Sequence, residues 1–283
     1  MTETDLHALP VTGHYFEAPR WHQDRWWVSD VYGHAVLALT EAGDCEHIMA
    51  VPAQPSGLGW LPDGSLLVVS MLDQRILRRF DDGQIVEHAD LSSIVRGELN
   101  DMIVDSRGLA WAGAVGFNLL AGEPPAPSVL VRVDMQGHAQ VAADGLLFPN
   151  GAVLTGDEQT LIVGETFAAK YTAFTLAADG TLTNRREWAS LAAPFGPDGC
   201  AIDADGAIWS ADALGHRCVR IAEGGQILGV VDAPEGLTIF AVALGGADGH
   251  TLLMCAAPDF DPSARGSEKA ALLLTTSVDV PRS

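Results

Sequence analysis

The feature that most constrains this chain is a unit that recurs about every 45 residues along nearly all of its 283. Each unit opens with an apolar strand, a turn built on Asp, Asn or Gly, and a second apolar strand. "GLGWLPDGSLLVVS" at 57–70 and "GCAIDADGAIWSAD" at 199–212 are two examples. The layout returns at 18–30, 101–113, 151–165 and 241–256, which makes six copies. A second hairpin follows in each unit, such as "RILRRFDDGQIVEHA" or "CVRIAEGGQILGVV". Two hairpins give four antiparallel strands, and six such units predict an all-β, six-bladed β-propeller around a central channel. In the sixth unit "AALLLTTSVDV" has no obvious partner, so the stretch at 8–13 is expected to add the missing strand and close the ring. The chain, 1–283, then forms one domain. No long apolar period of 3.6 residues occurs, and only 91–96 reads as a helical turn.

Charge narrows the partners. Sixteen Lys and Arg stand against 37 Asp and Glu, a formal charge of −21. Phosphate-backbone binding needs a clustered basic footprint, so nucleic acid is excluded as a partner. Acidity attracts cations and also keeps a protein in solution. The four cysteines lie far apart without a C-x-x-C pair, which argues against a disulfide framework or a zinc cluster. The first residues carry no basic and apolar leader. No apolar run nears the roughly 18 residues that cross a bilayer. The expectation is a cytoplasmic protein that acts on a small molecule and not at a membrane.

In a propeller the first strand of each unit is innermost and starts beside the axis. The residue just before that strand points to the channel mouth. That single phase reads Glu17, Ser56, Asn100, Asn150, Asp198 and a residue near Thr238. Four of these six carry a carboxylate or a carboxamide, although turns could use Gly, Ser or Pro freely. Asp63, in "LPDGS", is the internal control: it sits in mid-hairpin, where turn chemistry alone explains it. Glu17, Asn150 and Asp198 offer two carboxylates and an amide carbonyl. An all-oxygen set suits one hard divalent cation, with Ca²⁺ first and Zn²⁺, Mg²⁺ or Mn²⁺ also accommodated. No histidine falls at this phase, which argues against structural zinc.

The segments "FEAPRW", "LND", "FPNG" with "TLIVGET", and "GPDGCAIDADGAIWSAD" resemble the senescence marker protein (regucalcin)/gluconolactonase/luciferin-regenerating-enzyme family, in order and spacing over nearly the whole chain. The resemblance implies a six-bladed propeller with one divalent metal in the channel and, in many members, lactone hydrolysis. It implies that Glu17, Asn150 and Asp198 are the metal ligands, with Asp198 also the general base. Asn100 would reach the substrate or the metal through water, with Asp101 as its companion. Sugar-lactonase members often carry Arg where this chain has Glu98. A carboxylate there repels anionic substrates and cannot make the donor fork of a guanidinium. The connection at 114–128 matches a lid, with Phe117, Leu119 and Leu120 apolar and a proline cluster to stiffen it. Asp30, Tyr32, Met71, Glu165, Thr166 and Asp212 fall on the rim.

The expected activity is metal-dependent hydrolysis of a neutral, fairly hydrophobic lactone, by polarisation of the carbonyl and attack of an activated water. The absence of a G-x-S-x-G elbow agrees with chemistry that needs no serine nucleophile. Two other readings stay open at this point: a phosphotriesterase-like hydrolase at the same metal, and a non-catalytic propeller that binds calcium or a small ligand.

Overall fold

The protein was analysed as a computed structural model that describes residues 5–283. Six four-stranded antiparallel sheets surround one axis. The inner strands are Phe16–His22, Pro55–Trp60, Leu99–Val104, Pro149–Leu154, Pro197–Ile202 and Thr238–Gly245. Apolar content falls outward from them. The second strand Leu66–Ser70 is buried along its whole length, whereas the outer strand Leu182–Ser190 buries only Trp188 and Ala189. Blade cores interlock with their neighbours: Tyr15, Phe16 and Trp26 of blade one meet Phe240, Leu253 and Leu273 of blade six. His7–Gly13 pairs with Ala271–Ser277, so the N-terminal strand is the outer strand of blade six and closes the ring as expected.

The segment 91–96 makes the single turn expected, with the Ile94 and Val95 backbone nitrogens donating to the Leu91 carbonyl. The two helical segments are Thr166–Ala168 and Pro262–Arg265, each in a connection between second and third strands. Among the described residues no helix is long and apolar enough to cross a membrane.

Inner strands approach one another so closely that side chains must be absent at set positions. A Cβ on Gly57 would lie 2.3 Å from the Met102 nitrogen, and one on Gly151 would lie 2.4 Å from the Asp198 carbonyl oxygen. One on Gly199 would lie 2.5 Å from the Ala241 Cβ. The glycine that follows Ser56, Asn150 and Asp198 is therefore clearance between strands. A bulge sits at the same place: Pro149 faces Glu165 and Ala152 faces Val163, while Pro197 faces Asp212 and Cys200 faces Ser210. Asn150 and Asp198 thus lie inside the inner strand, at a bulge, and not just before it. The extra residue re-aims side chains at that point. In blade six, Thr238 faces Ala257 and Ala241 faces Cys255, so the residue in phase is the apolar Ile239 rather than Thr238.

Gly151→Ala drives a methyl group into the backbone of blade five. It is expected to destabilise the protein by about 1–3 kcal/mol, read as a lower urea midpoint at unchanged slope.

Candidate metal centre and active site

Glu17, Asn150 and Asp198 come from blades one, four and five, and all three are buried. Burial holds the Glu17 carboxyl well above its usual range, and the charge of Asp198 raises it further. Burial likewise pushes Asp198 up to about 7, against a lowering hydrogen bond from Asn150, with the charge of Asp101 also raising it. The Glu17 carboxylate accepts a backbone hydrogen bond from Ala18 at 3.0 Å and one from the Tyr15 hydroxyl at 3.4 Å. Asn150 is oriented by its neighbour: its Nδ2 donates to Thr166 Oγ1 at 3.1 Å, and Thr166 Oγ1 donates to the Pro197 carbonyl at 2.7 Å. That chain of contacts ties the amide of blade four to the strand that carries Asp198.

A third carboxylate, Asp101, is neutralised within the chain. Arg20 reaches across from blade one and donates from Nη2 to Asp101 Oδ1 at 2.7 Å and to the Met102 carbonyl at 2.8 Å. Asn100 accepts from Ser56 Oγ at 3.4 Å. Glu98 lies at the mouth, where burial raises its carboxyl. Its charge also reaches Tyr32, whose hydroxyl is pushed up to about 12, chiefly by burial and then by Glu98.

The acidic rim positions divide by role. Asp30, Glu165 and Asp212 each end a second strand and brace the segment that leads into an inner strand. Asp30 accepts from the backbone of His14 and Tyr15, Glu165 from Leu147 and Asp212 from Gly196. Met71 packs into the core. Phe117 is buried with Val115 and Phe148. Phe167, which is exposed, stands edge-on to Phe117 at 5.4 Å and stacks on Phe148 at 5.9 Å. The 114–128 connection is therefore anchored by Phe117, and the ring exposed beside it belongs to Phe167.

The donor set fits one hard divalent cation. Glu17 and Asp198 are buried like charges, the charge of Asp198 raising Glu17, and the guanidinium of Arg20 is paired with Asp101. Among the described residues the Asn150 Oδ1 accepts no hydrogen bond from the chain. Also among the described residues, no three His, Cys, Asp or Glu side chains gather as ligands. The candidate set has two carboxylates, with the amide as its third member. Sequence reasoning missed Tyr15, the orienting role of Thr166, and Arg20. Arg20 was visible only as the basic residue three places after Glu17, with the bulge hiding its phase.

Comparisons with known proteins show the family and the fold. The SMP-30/Gluconolactonase/LRE-like region matches residues 16–258. The chain is 32% identical over 259 residues to pentonolactonase XacC of Haloferax volcanii, covering 88% of this chain and 84% of that protein. Among solved structures, a luciferin-regenerating enzyme superposes with a TM-score of 0.84 at 17% identity, covering 99% of this chain and 97% of that one. A gluconolactonase from Xanthomonas campestris superposes with a TM-score of 0.77 at 26% identity, covering 97% and 90%.

Two outcomes follow for the metal-stripped protein. Carboxyls raised on folding favour the protonated native state, so their contribution is full below the unfolded value and is lost as pH rises through the folded one. Thermal melts are expected to fall between pH 4 and about 7, the upper limit set by Asp198, and Asp198→Asn should flatten that fall. Arg20→Met leaves Asp101 buried without its partner and is expected to cost about 3 kcal/mol in urea unfolding.

Proposed function

This chain belongs to the SMP-30/gluconolactonase/LRE-like family, and from that premise we propose that it is a divalent-metal-dependent hydrolase that opens lactones. The observation that carries the reading is the buried pair Glu17 and Asp198, held beside the Asn150 amide and, among the described residues, without a salt bridge to either, Arg20 being paired with Asp101. Relatives named pentonolactonase and gluconolactonase support the same reaction class.

Glu17, Asn150 and Asp198 hold the ion, with Ca²⁺ favoured by a wholly oxygen donor set. When bound, it supplies a Lewis-acid centre that polarises the lactone carbonyl. Asp198 accepts a proton from the attacking water, whose oxygen adds to the carbonyl carbon. The ring C–O bond then breaks, the departing alkoxide takes up a proton, and a hydroxy acid leaves. Thr166 keeps the Asn150 amide in a fixed orientation, and the Arg20–Asp101 pair holds the strand that carries Asn100. Asn100, whose Oδ1 accepts from Ser56, would offer its amide nitrogen to the substrate. Glu98, half-buried at the mouth, disfavours anionic lactones and selects neutral ones.

A pH-indicator assay on metal-stripped protein, with each divalent ion added back, measures acid release directly. Asp198→Ala is expected to lose both retained metal and turnover, the latter by at least roughly a hundredfold. Full metal content with full rate in that variant overturns the assignment. Turnover of phosphotriesters in place of lactones transfers the site to that chemistry, and tight metal binding without turnover makes it a binding protein.

A further inference from the structure

The face that carries the metal centre is bordered by apolar side chains, one from each blade. Every blade joins its second and third strands on this face, and the six connections carry Tyr32, Leu72, Leu120, Phe167, Leu214 and Phe260. The last five are between 42% and 58% exposed. The opposite face differs. Its hairpin turns are rich in Asp and Gly, with Met135 exposed in one of them and Ile85 and Ile227 exposed where outer strands begin after two others.

The border stands next to the segments that lead to the axis. A Cβ on Gly196, two residues before Asp198, would lie 3.0 Å from the Leu214 side chain. The Leu72 backbone nitrogen donates to the Ala53 carbonyl, three residues before Ser56. Phe167 stacks on Phe148, two residues before Asn150. Phe260 meets Phe240 edge-on at 6.4 Å, and its carbonyl accepts from the Tyr32 hydroxyl at 2.8 Å. The two long connections, 114–128 and 258–270, belong to blades three and six and so face each other across the axis. Leu120 of blade three and Phe260 of blade six thus stand on opposite connections, with the exposed Phe167 ring of blade four beside the first.

We infer that this border binds an apolar arm of the substrate, so that the lactone opened here carries a long alkyl substituent rather than a polyhydroxylated chain. The inference rests on the lactone-opening reading and names its substrate class. Phe260 packs on Phe240, Phe240 on Tyr15, and the Tyr15 hydroxyl donates to Glu17, so the exposed rings lead by direct contact to the acidic centre, and the substrate of that centre is the occupant they fit. A formal charge of −21 opposes docking on an anionic lipid surface. Phe167 and Phe260 are the specificity-determining residues, because both rings are exposed and both are fixed by aromatic neighbours.

The test is a series of γ-lactones with side chains from methyl to octyl, compared with a sugar lactone, using the metal-loaded full chain. Specificity, kcat/KM, is expected to rise about two- to fourfold for each added methylene, the gain that partial to complete burial provides. The octyl-to-methyl ratio should collapse in Phe167→Ser and Phe260→Ser and persist in Phe167→Leu, which keeps apolar surface. Met135→Ser, on the opposite face, should leave the ratio as it is. A flat series in a protein that opens the methyl and sugar lactones overturns this inference alone. Sedimentation with zwitterionic vesicles, or self-association abolished by the same serine variants, also overturns it by giving the border another occupant. No opening of any lactone with any divalent ion overturns the hydrolase reading itself.

Discussion

Burial of like charge at the ring axis is the constraint on which the rest of this structure depends. Closing six blades brings inner strands into backbone contact, with no room for a Cβ at Gly57, Gly151 or Gly199. The same closure brings Glu17 and Asp198 together where burial raises both carboxyls. Removing ions from water costs several kcal/mol each unless partners are found. Extensive apolar packing between blades, as between blades six and one, sustains that cost. The surrounding polar network limits it: Ala18 and Tyr15 donate to Glu17, Asn150 donates to Asp198, and Arg20, paired with Asp101, lowers Glu17 by its charge.

This constraint explains how three chain-distant residues form one site. Glu17 and Asp198 are 181 positions apart by number (198 − 17) yet occupy the same phase of the repeat. Each sits at a bulge whose register is repeated from blade to blade. Second-strand acids support them from behind. Asp30, Glu165 and Asp212 bind backbone N–H groups in the approach to each inner strand. The site is thus preorganised by backbone contacts, and its donors need little rearrangement to receive an ion or a developing charge.

Much of this was legible in the sequence because a repeat constrains every blade at once. The strand count, the closing N-terminal strand and the phase of Glu17, Asn150 and Asp198 all came from comparing units with one another. Blade six was harder, since its inner strand is apolar after Thr238 and offers no acid or amide to mark the phase, so the sequence pointed only to the neighbourhood of Thr238 and not to Ile239 itself. Arg20 was missed because a bulge breaks the alternation on which its direction would be read. The burial of Phe117 and the exposure of Phe167 follow from tertiary packing of two separate connections, which no local pattern encodes. The apolar border was hidden for a related reason. Its members are single residues in loops of different length, and they become a ring only once the blades are arranged around the axis.

The central claim is that Glu17, Asn150 and Asp198 hold one divalent cation at the axis. Crystals of the metal-stripped protein soaked in Mn²⁺, with anomalous diffraction recorded near the manganese edge, test it most directly. The account predicts a single strong anomalous peak bonded to oxygens of those three side chains. No peak at the axis, or a peak held by other residues, would contradict it.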